Sequence, residues 1–205
     1  MTKLSFGKIF VEDLVEYFDI SQEKEILQFG EVEISSEVEK KLADLIEKNR
    51  NYIEDYLEEE LKMLFIAPIL NLVDFQCGEF RAWLERDFQF EFEKVLLYGK
   101  PYFMVARGNF KPEKPFFFLQ EYKKSLPDGN PKWQLIAEMI VSLSKGGISE
   151  VFGSYVIGQY WHFVKLWRSG NQIRFSISES FDSLKISDLK SIYGNLKSVK
   201  ELHCK

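Results

Sequence analysis

The chain is poor in the residues that titrate near neutrality or hold soft metals: two histidines and two cysteines among 205 residues. Cys77 and Cys204 stand far apart, with no CxxC or Cys/His spacing, which argues against a zinc site. As two lone thiols they suit a reducing compartment better than a disulfide scaffold. A basic surplus is also missing, since 27 Lys and Arg face 32 Asp and Glu for a formal net charge of −5. That excludes a protein that coats nucleic acid through charge alone, while leaving room for a local basic groove. No apolar run is long enough for a membrane span; the longest, 63–73, is short and holds Pro68 and Asn71. Residues 1–10 show neither the basic flank nor the apolar segment of a secretory signal. A cytoplasmic protein with no membrane partner is the expectation. Gly-rich phosphate loops, Ser-His-Asp arrangements and HExxH motifs are absent as well.

Apolar residues, by contrast, make up 45% of the chain, with 19 phenylalanines, enough for one domain with a sizeable core. Ser35 or Ser36 can cap a helix beginning at Glu37, because a serine hydroxyl accepts an orphan backbone N–H. Helical spacing runs through Leu42, Leu45 and Ile46 and again through Ile53, Leu57, Leu61 and Leu64, and Pro68 is expected to bend or end the second helix. A short strand is expected at 29–34. Phe88, Phe90 and Phe92 then alternate with polar residues in a half-buried strand pattern. With strands at 102–106 and 115–123 they predict a three-stranded meander. Asn130 and Pro131 open a helix to about 144, stopped by Gly146 and Gly147. Strands at 151–157, 160–167 and 172–178 follow, with a hairpin turn at 169–171, and a helix over 186–202 closes the chain. This order predicts a mixed α/β fold, a sheet covered by helices, over 37–205, with 1–36 an N-terminal extension packed on it.

The strand at 115–123 carries the strongest functional signal. It ends Phe116-Phe117-Phe118-Leu119-Gln120-Glu121-Tyr122-Lys123, an aromatic run finishing in an acid and a base two residues apart and so on one face. A strand running out of its core into water also ends in this way. A carboxylate for a hard cation and an ammonium for charge building on phosphorus are, however, what metal-dependent phosphodiester cleavage needs. His162, mid-strand among aromatics, reads as a core residue, and His203, near the end of the chain, as a solvated one.

Glu121-Tyr122-Lys123 after a hydrophobic strand resembles the (D/E)xK half-motif of the PD-(D/E)XK nuclease superfamily, the restriction-endonuclease-like proteins. The likeness extends over about 52–202: Glu58 precedes Phe65-Ile66-Ala67-Pro68-Ile69-Leu70, similar to a helix of bacterial nuclease-like proteins, and Gln134 lies on the helix after the lysine strand. The resemblance implies a central mixed sheet flanked by helices and hydrolysis of DNA with Mg2+ or Mn2+. Glu121 and Glu58 then bind metal, Lys123 positions water or stabilises charge, and Gln134 orients the site. It also implies DNA as partner, and a homodimer by fold-level analogy. One departure matters. Tyr102 stands where the resemblance expects the PD aspartate, and a phenol of pKa about 10 is a poor magnesium ligand. Either another acid substitutes, with Glu93 or Glu91 as candidates, or catalysis is impaired or lost and the fold serves as a binding or assembly module.

Overall fold

The computed structural model describes residues 1–125 and 130–204, and most of the polar loop expected at 126–131 lies outside them. The chain is a mixed α/β protein. Its order is β1 (Thr2–Ser5), α1 (Val11–Tyr17), β2 (Ile20–Gln22), α2 (Ser36–Asn49), α3 (Glu58–Leu61) continuing through a π turn (Lys62–Ile66) into α4 (Ala67–Val73), then β3 (Phe80–Leu84), β4 (Phe88–Glu91), β5 (Val95–Gly99), β6 (Phe103–Arg107), β7 (Glu113–Lys123), α5 (Pro131–Gly146), β8 (Glu150–Ile157), β9 (Tyr160–Ser169), β10 (Gln172–Ile177), β11 (Phe181–Asp182) and α6 (Ile186–His203).

The main sheet has eight strands, ordered β2-β10-β9-β8-β7-β6-β3 with β11 paired to β9. β7–β8 and β2–β10 are parallel and the other pairs antiparallel. A second, three-stranded sheet runs β1-β5-β4. One face of the main sheet packs on α2, α3–α4 and α6 through Leu42, Phe65, Ile69, Leu189 and Leu196, all almost fully buried. The other receives α5, buried on nearly every side from Gln134 to Leu143. α5 approaches β8 closely at Gly153, where a Cβ would lie 3.0 Å from the Leu119 carbonyl and from Leu135 Cδ1 and 3.1 Å from Met139 Sδ. Any larger residue there pushes the helix off the sheet.

Several expectations need correcting. The first strand of the meander is β3, not 88–93: β3 pairs with β6, whereas β4 pairs with β5 in the small sheet. Both segments carry apolar residues at strand spacing, so local pattern cannot choose the partner of β6. No strand forms at 29–34. Pro68 does not end its helix, because it falls in the first turn of α4, where a missing N–H costs least, and the preceding π turn carries the chain past it. Ser35 does cap α2, its hydroxyl accepting from Val38 N at 3.3 Å. Residues 1–36 contribute β1 and β2 to the sheets.

The two cysteines are joined rather than free. A Cys77–Cys204 disulfide, Cα–Cα 5.8 Å, ties the segment after α4 to the end of α6. Their separation of 127 residues hid a proximity that only the packing of α6 on α4 creates. His203 is likewise not solvated: its ring stacks on Phe117 at 4.4 Å. Among the described residues no helix is long and apolar enough to cross a membrane.

Candidate active site

Alternation along β7 sends Glu121 and Lys123 to the same face, and Glu121 meets α5 there. Glu121 is completely buried, as is Glu138 on α5. The two carboxyls are close enough to perturb each other's protonation. The second oxygen of each, Glu121 Oε2 and Glu138 Oε2, takes no donor among the described residues. Two ionised carboxylates have acceptors only, so their contact is favourable when one of them carries a proton or when a cation joins them. Burial, opposed by the Glu138 contact, the Tyr102 N–H and Lys123, leaves Glu121 raised to about 7. Burial and then the Glu121 charge raise Glu138 well above the usual carboxylate range. Both shifts favour a proton held within the pair.

Position 102, where an acid was expected, acts as a donor to both neighbouring acids. Its backbone N–H donates to Glu121 Oε1 at 3.2 Å, and its phenol donates to Glu58 Oε1 at 2.6 Å. Burial, reinforced by the Glu58 carboxylate, pushes the phenol upward, so it stays protonated. Its ring stacks on Tyr122 with centroids 4.4 Å apart. Lys123 Nζ reaches both oxygens of Glu58, at 3.2 and 3.3 Å, with the lysine side chain 16% and the glutamate 27% exposed. This half-shielded pair is better protected from screening than a surface ion pair.

Glu58, Glu59 and Glu60 open α3, where carboxylates favour the helix dipole, yet they take three different roles. Glu60 accepts the Leu57 N–H at 2.7 Å and caps the helix. Glu59 pairs with Lys62 at 3.4 Å. Glu58 alone among the three bonds Tyr102 and Lys123.

Gln134 Nε2 donates to Glu138 Oε1 at 3.4 Å, at the edge of a surface groove of about 360 Å³ lined by Ser5–Gly7, Glu59, Glu85, Lys100, Tyr102, Lys123 and Gln134. The structure thus brings Glu58, Glu121, Lys123 and Gln134 to one place. It does not bring Glu93, which lines a different groove with Glu16, Lys94 and Arg168. Glu91 sits exposed on β4. Glu93 lies in the turn between β4 and β5, and both residues are away from the groove beside Tyr102, so neither stands in for the acid that the resemblance expects. The second buried acid beside Glu121 is Glu138, which shares a helix face with Gln134 at i,i+4 spacing. Lys62 and Glu85, joined at 2.8 Å, were missed. Lys62 had a signal in its i,i+4 spacing from Glu58, whereas nothing local distinguishes Glu85. Among the described residues no three His, Cys, Asp or Glu side chains group tightly enough to hold a metal. His162 stacks on Tyr155 at 4.7 Å, its pKa lowered first by burial and then by Lys132, in keeping with a packing role. Among known proteins, the chain matches no family model and no curated sequence.

Proposed function

We propose that the chain is a nuclease-like protein of PD-(D/E)XK type, hydrolysing phosphodiester bonds of DNA with magnesium at the Glu58–Glu121–Lys123 site. The observation that carries this reading is the junction of two wholly buried carboxyls, Glu121 and Glu138, with the Lys123–Glu58 ion pair beside a groove. Packing alone does not call for such a junction, because buried charge costs several kcal/mol per ion, and groups held at that expense concentrate at working sites.

The oxygen donors fit magnesium, which is held by one or two carboxylates plus water and phosphate oxygens. Glu121 and Glu138 each have an oxygen without a protein donor, and Glu58 lies beside Lys123. A bound magnesium supplies charge neutralisation at the phosphate and a more acidic water. The protein's own part is positional and electrostatic. Glu58 holds the Lys123 ammonium, which stabilises charge building on the phosphate. Tyr102 holds Glu58 and, through its N–H, Glu121. Gln134 fixes the Glu138 carboxyl. DNA is the proposed partner.

The test is cleavage of supercoiled plasmid and of single-stranded DNA with Mg2+ or Mn2+, comparing the wild type with Lys123→Ala. Loss of a charge-stabilising donor is expected to slow cleavage about 100-fold or more. Undiminished activity removes Lys123 from the chemistry.

A second reading, a nuclease-fold binding module without catalysis, is favoured by the 2.6 Å bond from Tyr102 to Glu58, which occupies a candidate metal ligand. It predicts no cleavage by the wild type under any metal and no Mg2+ or Mn2+ binding that depends on Glu121.

A further inference from the structure

Lys62 has a more elaborate setting than an ordinary surface lysine. It lies one helical turn after Glu58, where the helix widens into the π turn, a distortion frequent at functional sites. Its side chain is only 16% exposed. The ammonium stands 4.7 Å from the centroid of Tyr102 and 5.6 Å from that of Tyr122, while Lys123 stands 5.4 Å from the same Tyr102 ring. Two cations therefore approach the ring of the phenol that bonds Glu58.

The anions holding Lys62 are of a different kind. Glu85 Oε1 lies 2.8 Å away and Glu59 Oε2 3.4 Å, yet these carboxylates are 51% and 70% exposed. Both line the groove, and both pair with Lys62. Glu85 is held there by a backbone in the left-handed region, φ 49°, which a glutamate adopts at a cost. Its N–H is fixed to the Pro101 carbonyl at 3.1 Å. A well-shielded cation is thus paired with water-exposed, exchangeable carboxylates at the wall of the groove. Such an arrangement accepts another anion wherever one offers more oxygens than a screened surface pair provides.

We propose that Lys62 is a phosphate-binding residue of this site. Glu85 and Glu59 occupy it in the free protein, and a backbone phosphate of the DNA strand displaces them. The proposal rests on the nuclease reading for the identity of the strand, and it assigns Lys62 a contact with a non-bridging phosphate oxygen apart from the Glu121–Lys123 chemistry.

The test is fluorescence anisotropy of an end-labelled 20-nucleotide DNA, single-stranded and duplex, between about 50 and 200 mM salt, in EDTA so that the strand stays intact. Lys62→Met keeps the apolar stem over the tyrosine rings and deletes the charge. It is expected to weaken binding about tenfold and to lower the slope of log affinity against log salt by about 1. Glu85→Gln removes the competing anion and is expected to tighten binding several-fold. These opposite signs separate a phosphate site from a structural ion pair, whose loss on either side weakens binding alike. Wild-type DNA binding that neither variant alters overturns the Lys62 assignment and leaves the nuclease reading standing. Binding weakened by both variants also overturns it. A wild type that neither binds nor cleaves DNA overturns both.

Discussion

Replacing Glu138 with glutamine tests whether the two buried carboxyls hold a proton. In the folded chain Glu121 is raised from its ordinary 4.5 to about 7, chiefly by burial, and Glu138 is raised well above 4.5 by burial and by the charge on Glu121. A raised carboxyl binds its proton more tightly folded than unfolded. Its stabilisation is complete below the unfolded value and is lost as pH climbs through the folded one. For Glu121 the interval from 4.5 to about 7, at about 1.4 kcal/mol per pH unit, is worth about 3 kcal/mol. Glu138 adds a further loss that also begins above 4.5 and extends to its own raised value. Urea unfolding followed by tryptophan fluorescence from pH 5 to 9 measures the profile. The wild type is expected to lose at least about 3 kcal/mol between pH 5 and 8. Glu138→Gln keeps the shape and the Gln134 contact. It is expected to follow the wild type at low pH and to become the more stable of the two at high pH. The double variant Glu121→Gln/Glu138→Gln is expected to show no slope from this pair. A wild-type stability that is flat or rising from pH 5 to 8 refutes the reasoning.

Three further outcomes follow from other parts of the fold. Tyr102→Phe deletes the 2.6 Å bond to Glu58 and is expected to cost about 1–2 kcal/mol in chemical denaturation, as for a half-buried bond to a charged acceptor; an unchanged midpoint contradicts that bond. Cys77→Ser opens a link spanning 127 residues and is expected to cost about 3–5 kcal/mol by the chain-entropy account, whereas two free thiols titrating in the native wild type would show the link is not formed. In Gly99→Ala the new Cβ would stand 2.5 Å from Phe6 Cδ2. Expelling this 1% exposed ring is expected to cost about 2 kcal/mol and to raise amide exchange in β1, and wild-type exchange there would show that Phe6 does not anchor the N-terminal strand.

Much of the fold was legible because its signals are local. The Ser35 cap, the helix opened by Pro131 and stopped at Gly147, and the hairpin through Gly170 each depend on a few adjacent residues. The choice of β3 over β4 as the neighbour of β6 was not legible, because strand pairing joins segments that look alike in isolation. The site divides in the same way. Glu121 and Lys123 stood out because an acid and a base end an aromatic strand. Glu138 was visible only as a polar position beside Gln134 on a helix, and its burial was concealed by the assumption that a charged residue faces water.

By itself the sequence determined the α/β order and the strand carrying Glu121 and Lys123, and it placed Tyr102 where the nuclease resemblance expects an acid. The tertiary structure alone decided that Tyr102 donates to both flanking carboxylates, that Glu138 rather than Glu93 supplies the second buried acid, and that Lys62 pairs with Glu85 at the groove wall. It also decided that two cysteines 127 residues apart in the sequence meet. The physical reason is one of range. Capping, periodicity and turns are set by residues within a few positions of each other, whereas a buried charge or a cross-link is set by whatever the packed sheet and helices bring to it from far along the chain.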